Sequence, residues 1–121
     1  MKTLKRSECS VLPLVLKGKW YRMIESGEKL EEYRDGTDYW WTRIANWCGI
    51  GIYRSYIVVE FRLGYQRNAP RMAFITGPVF TPFDTSAQAK KLFVKIPRPE
   101  WGEPETPHFI ITLEKRVKLE D

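Results

Sequence analysis

The octapeptide YIVVEFRL, Tyr56 to Leu63, constrains this chain more than any other segment. On a strand its side chains alternate: Ile57, Val59, Phe61 and Leu63 take one face, and Tyr56, Val58, Glu60 and Arg62 take the other. Four large apolar residues on one face must be covered, so the strand belongs in a sheet with a second layer packed on it. Two helical patterns supply that layer. Trp20, Met23 and Ile24 recur at i, i+3, i+4 after Gly18, and Gly27 stands where such a helix, about ten residues long, would end. After Asp38, a good N-cap, Trp40, Ile44 and Trp47 recur at i, i+4, i+7, while Tyr39, Arg43 and Asn46 share another face. The tryptophans read mostly as core.

More strands flank these elements. VLPLVL, Val11 to Leu16, is a buried strand that Pro13 places at a sheet edge or strand start. Lys29 to Arg34 alternates as a strand before a turn at Asp35, Gly36 and Thr37, and Gly64 to Pro70 is a loop. Met72 to Phe80 is extended with an interruption at Gly77 and Pro78, and HFIITL from His108 to Leu113 is a closing strand. Six of the eight prolines fall within residues 78–107, which therefore hold at most a short strand, Leu92 to Ile96. Residues 1–10, polar and basic, read as a flexible tail ahead of a single domain over 11–121. Most connections are too short for βαβ crossovers. The expected fold is α+β, mainly β: an antiparallel or mixed sheet of five or six strands, partly closed into a small barrel, with two helices near the N-terminal half.

Composition removes several function classes. With 43% apolar residues in 121, the chain can bury a core and is not intrinsically disordered. The longest charge-free stretch, Met72 to Phe83, contains Pro78 and Pro82 and is shorter than the roughly 18 residues a membrane-spanning helix needs. The basic start, Lys2, Lys5 and Arg6, precedes an apolar run too short and too interrupted for a signal peptide, so a soluble, cytoplasmic protein with no membrane partner is expected. Cys9 and Cys48 lack CxxC spacing and His108 is the single histidine, so no metal site is expected, and His108 reads as a structural strand-end residue. GIGIY at Gly49 to Tyr53 does not have dinucleotide or P-loop spacing, and no cofactor is expected.

Two constellations remain. The net charge of +5 is unevenly spread: residues 62–98 contain Arg62, Arg67, Arg71, Lys90, Lys91, Lys95 and Arg98 against Asp84, interleaved with Tyr65, Phe74, Phe80, Phe83 and Phe93. Phosphate neutralisation plus base stacking uses such a mixture, and so does an ordinary solvated surface. The second constellation is GEKLEEYR, Gly27 to Arg34. On a strand Glu32 and Arg34 share a face with Leu30, and Lys29 emerges from the turn after Gly27. A lysine near a carboxylate can serve as a proton acceptor, or the group can be an ion-pair network that locks the corner.

The same segment fits GxKxxExR, the signature of the ASCH domain family, through Gly27, Lys29, Glu32 and Arg34. The surroundings resemble ASCH proteins as well: the helix KWYRMIESGEK, the YWxxRI block at Tyr39, Trp40, Arg43 and Ile44, FRLGY at 61–65 with NAP at 68–70, and WGxP at 101–104. The resemblance covers about residues 12–114. It implies a PUA-like open β-barrel that binds RNA or a nucleotide in a cleft lined by Lys29, Glu32 and Arg34, with Tyr39, Arg43, Arg62, Tyr65 and Asn68 as walls. One branch of the family is similar in motif but enzymatic, an amidohydrolase of N4-acetylcytidine using the motif lysine and a threonine three residues later. Here that position is Glu32, and Thr37 is nearby in sequence. Three readings follow: an RNA or nucleotide binder; a hydrolase of a modified nucleoside with Lys29 and Glu32 as catalytic residues; and a protein-interaction module with a structural ion-pair cluster.

Overall fold

The computed structural model describes residues 1–81, 84, 86, 87 and 108–121. The elements run β1 (Lys2–Lys5), a 3-10 turn (Arg6–Glu8), β2 (Cys9–Leu16), α1 (Gly18–Glu25), β3 (Glu31–Asp35), α2 (Asp38–Gly51), β4 (Tyr56–Leu63), β5 (Arg71–Phe80) and β6 (His108–Glu120). The expected strand at Leu92 to Ile96 and the residues Phe83, Lys90, Lys91, Phe93, Lys95, Arg98 and Trp101 lie outside the described residues. Neither helix is long and apolar enough to cross a membrane.

The strands form one mixed sheet in the order β1-β6-β5-β4-β2, with β3 also on β6. β2 runs parallel to β4, β1 parallel to β6, and the remaining pairs are antiparallel. β6 is the spine: Phe109 to Thr112 pair with Arg34 back to Glu31 on β3, and Val117 to Glu120 pair with β1 on the same flank. The class expected from sequence, α+β and mainly β, is what forms, but the sheet ends at β2 on one side and at β1 and β3 on the other. Among the described residues no ladder joins these edges, so the sheet is not a closed barrel.

The alternation of β4 sorts two cores. Val59 and Phe61 join Leu12, Leu14, Leu16, Ile24, Ile44 and Trp47 beneath the helices, with Trp20, Trp40, Ile57 and Leu63 packed around them. Trp47 also clasps the layers: its Nε1 donates to the Ser10 and Val58 carbonyls, each at 3.0 Å, and Ser10 Oγ donates to the Trp47 carbonyl at 2.7 Å. On the opposite face Val58 packs with Leu4, Cys9, Ala73 and Val117 in a second, smaller cluster.

That second cluster corrects the reading of residues 1–10. Leu4 is buried on β1, and Arg6 donates to Glu60 Oε2 at 2.6 Å, so these residues cover the far face of the sheet rather than forming a flexible tail. Smaller corrections are local. Thr37, not Asp38, caps α2, because its extended backbone lets its side chain accept from the Trp40 N–H, and Asp38 sits in the first turn. Among the described residues β2 is an edge strand, and Pro13 lies on it opposite Glu60. The Gly77–Pro78 interruption coincides with shifted register between β5 and β6, where Thr112 Oγ1 donates to the Pro78 carbonyl at 2.7 Å. His108 opens β6 opposite Asp35.

Candidate functional site

The motif begins where α1 stops. Gly27 adopts φ +83°, a conformation that favours glycine, and the chain reverses so that Gly27 N–H donates to the Ile24 carbonyl at 3.1 Å and Lys29 N–H to that of Met23 at 3.0 Å. Lys29 is thereby held under the helix. It is 3% exposed, and its Nζ lies 4.3 Å from the Trp20 ring centroid and 4.6 Å from that of Tyr33, an aromatic clamp on a cation.

Glu32 is 4% exposed and pairs across the ladder with the fully buried Ile111. Its Oε1 accepts from the Tyr33 N–H at 2.9 Å, while Oε2 has no hydrogen-bond partner among the described residues. Arg34, half-buried, lies with its guanidinium carbon 5.0 Å from the Trp40 ring centroid, and its buried Nε likewise has no partner among them. Among the described residues, no ion pair joins Glu32 or Arg34 to Lys29 or to each other.

Beside the motif lies a cleft of about 410 Å³. Four arginines line it, Arg34, Arg43, Arg62 and Arg71, together with Tyr39, Trp40, Tyr65, Glu60 and residues 13–15 of β2. Arg43 donates to Tyr39 Oη at 2.6 Å, one helical turn away, and stands 5.3 Å from the ring centroids of both Tyr39 and Trp40. Arg62 donates through Nη2 to the Tyr65 and Gln66 carbonyls, which ties down the loop after β4, and its Nε is buried without a partner among the described residues. Tyr65 is 85% exposed at the rim. Glu60, the single carboxylate among the described lining residues, is held by Arg6 at 2.6 Å and lies 4.0 Å from Arg71. With that charge already compensated, the cleft is a cationic, ring-walled depression suited to an anion carrying a planar group.

A second recess of about 260 Å³ lies between β2 and β3, lined by Val15, Leu16, Lys17, Trp20, Glu32, Tyr33 and Arg34. Val15 and Arg34 line both spaces, so the two adjoin at the edges of β2 and β3 that have no strand partner among the described residues.

Of the residues singled out from sequence, Arg34, Tyr39, Arg43, Arg62 and Tyr65 line the cleft, and Glu32 and Arg34 the recess. Lys29 lines neither; it sits behind Trp20 and Tyr33, which wall the recess. Asn68 is on the β4–β5 connection and lines neither space. The nearby threonine Thr37 uses its hydroxyl as the α2 cap. Sequence reasoning missed Trp20 and Trp40, assigned to the core, and also Glu60, which had a signal in sharing the β4 face of Arg62; Arg71, singled out in the basic stretch 62–98, lines the cleft as the cross-strand partner of Arg62.

No protein-family model, no curated protein and no solved structure matches this chain.

Proposed function

We propose that this protein binds RNA or a nucleotide in the cleft and recess that meet at Arg34. The observation that carries this reading is the concentration of Arg34, Arg43, Arg62 and Arg71 around the rings of Tyr39, Trp40 and Tyr65, with buried Nε donors on Arg34 and Arg62 left unpartnered among the described residues. Guanidinium forks match phosphate oxygens, and exposed rings stack on bases. The resemblance to ASCH domains supports the same assignment.

Titration with a fluorescent single-stranded RNA and with nucleoside monophosphates, repeated across salt concentrations, tests it. For single-stranded RNA the logarithm of affinity should fall by roughly 0.7 per phosphate contact for each log unit of salt. Arg43→Gln should weaken binding and flatten that slope, while Arg67→Gln, on the loop outside both spaces, should change little. Absence of binding to both RNA and nucleotides at low salt would overturn the proposal.

A second reading is hydrolysis of a modified nucleoside, favoured by the burial of two ionisable side chains of the motif, Lys29 and Glu32. Release of acetate from N4-acetylcytidine, lost in Lys29→Met, is its test. The interaction-module reading draws on a structural ion-pair cluster, for which Glu32 and Arg34 provide no salt bridge among the described residues.

A further inference from the structure

We infer that the recess between β2 and β3 selects an amino-bearing nucleobase, adenine, cytosine or guanine, through Glu32 Oε2, which has no hydrogen-bond partner among the described residues, while the adjoining arginine cleft holds the phosphate. This rests on the nucleotide-binding reading above and adds to it a specificity-determining residue.

Glu32 is buried beyond what its hydrogen bonding accounts for among the described residues. A carboxylate that is 4% exposed has lost nearly all its water, yet among the described residues only one of its oxygens has gained a hydrogen bond, from the Tyr33 N–H. Leaving a buried acceptor unmatched is expensive, more so when it is charged. The same side chain lines a recess whose walls include the Trp20 ring and the Val15 and Leu16 side of β2. At about 260 Å³ the recess suits one planar ring system, and the larger arginine-lined cleft beside it suits the anionic remainder.

An ionised carboxylate accepts hydrogen bonds and donates none, so the group it meets must carry N–H. Adenine and cytosine present an exocyclic amino group, and guanine an amino group beside a ring N–H. Uracil is disfavoured because its single ring N–H lies between two carbonyl oxygens, which repel an approaching carboxylate. Lys17 and Arg34, on the rim of the same recess, add donors for the carbonyl or ring-nitrogen acceptors of the base.

The test compares matched pairs that differ at the amino position. Affinities of the protein for cytidine and uridine 5′-monophosphates, and for AMP and purine riboside 5′-monophosphate, are measured by calorimetry or competition. The amino-bearing member of each pair is expected to bind about tenfold more tightly. In Glu32→Gln, whose carboxamide both donates and accepts, the ratio should shrink toward unity while the phosphate-dependent part of binding persists. Equal affinity within both pairs in the wild-type protein overturns the inference and leaves nucleotide binding standing. A preference that survives Glu32→Gln unchanged removes Glu32 as its origin and also overturns it. Failure of all four compounds and of single-stranded RNA to bind instead removes the nucleotide reading itself.

Discussion

The replacement Glu32→Gln isolates the energetic consequence of a buried carboxylate with one unsatisfied oxygen. The carboxamide keeps an oxygen for the Tyr33 N–H, now bonded at 2.9 Å to Oε1, so that contact is retained. What changes is the charge, held at 4% exposure beside Ile111. An unmatched buried polar group costs about 1–3 kcal/mol, and more if charged; the new amide NH2 restores part of that penalty because it too lacks a partner. The net expectation is a gain of about 1 kcal/mol. For 121 residues at about 2.1 cal/mol/K each, the unfolding entropy is about 0.25 kcal/mol/K, so the midpoint should rise by about 4 °C. Thermal melts followed by circular dichroism, with urea titrations to confirm an unchanged m-value, measure this directly. Glu28→Gln, at an exposed position, is the control and should stay within about 0.5 kcal/mol of wild type. A loss of 1 kcal/mol or more in Glu32→Gln would refute the reasoning, because it would mean that the carboxylate is fully compensated and belongs to the scaffold.

Three further outcomes are expected. Gly27→Ala should cost about 1 kcal/mol in urea denaturation and Gly27→Asn less, because φ is +83° and nothing crowds the Cβ position, so backbone conformation alone sets the penalty. Trp47→Phe should lose about 2–4 kcal/mol by the same assay, since it strands the Ser10 and Val58 carbonyls and leaves a gap between α2 and the sheet. Burial raises the Cys9 and Cys48 thiols above their usual range, and burial together with Glu25 raises Tyr21. The unfolded chain therefore loses these protons first, and stability should fall as pH climbs through about 9 to 10, seen as a declining midpoint in alkaline melts.

Strands and helices with dense apolar patterns were legible from sequence, as β4 and α2 illustrate: Val59, Phe61, Ile44 and Trp47 all meet in one core. The termini were not, for a physical reason. KTLK reads as part of a tail, and EKRVKLE lies beyond the expected strand His108 to Leu113, because each buries few apolar side chains, Leu4 in β1 and Val117 in the second half of β6. Their pairing is parallel and joins residues at opposite ends of the chain, so no local pattern announces it. The candidate site divides similarly. Arg34 could be picked out from its motif, Arg43 from the resemblance and Arg62 from the basic, aromatic-rich stretch, but that Glu60 is paired with Arg6 depends on the N-terminal turn reaching across the sheet. Lys29, placed in the cleft by its motif, stands against the Trp20 and Tyr33 rings and is not among the described residues that line the cleft or the recess.

The position of β6 as spine has a bearing on synthesis. β1, β3 and β5 all hydrogen-bond to it, yet it follows every one of them along the chain. As the polypeptide leaves the ribosome, β2, α1, α2, β4 and β5 can assemble first, since the β2–β4 and β4–β5 ladders and the Trp47 clasp need nothing from residues beyond 80. β1 and β3 must wait with their edges unsatisfied until residues 108–120 emerge. Bringing Lys2 beside Val117 then closes a loop spanning nearly the whole chain, a slow step of high entropic cost. During that interval the nascent chain exposes open strand edges, the form in which β-rich proteins are most prone to pair with one another.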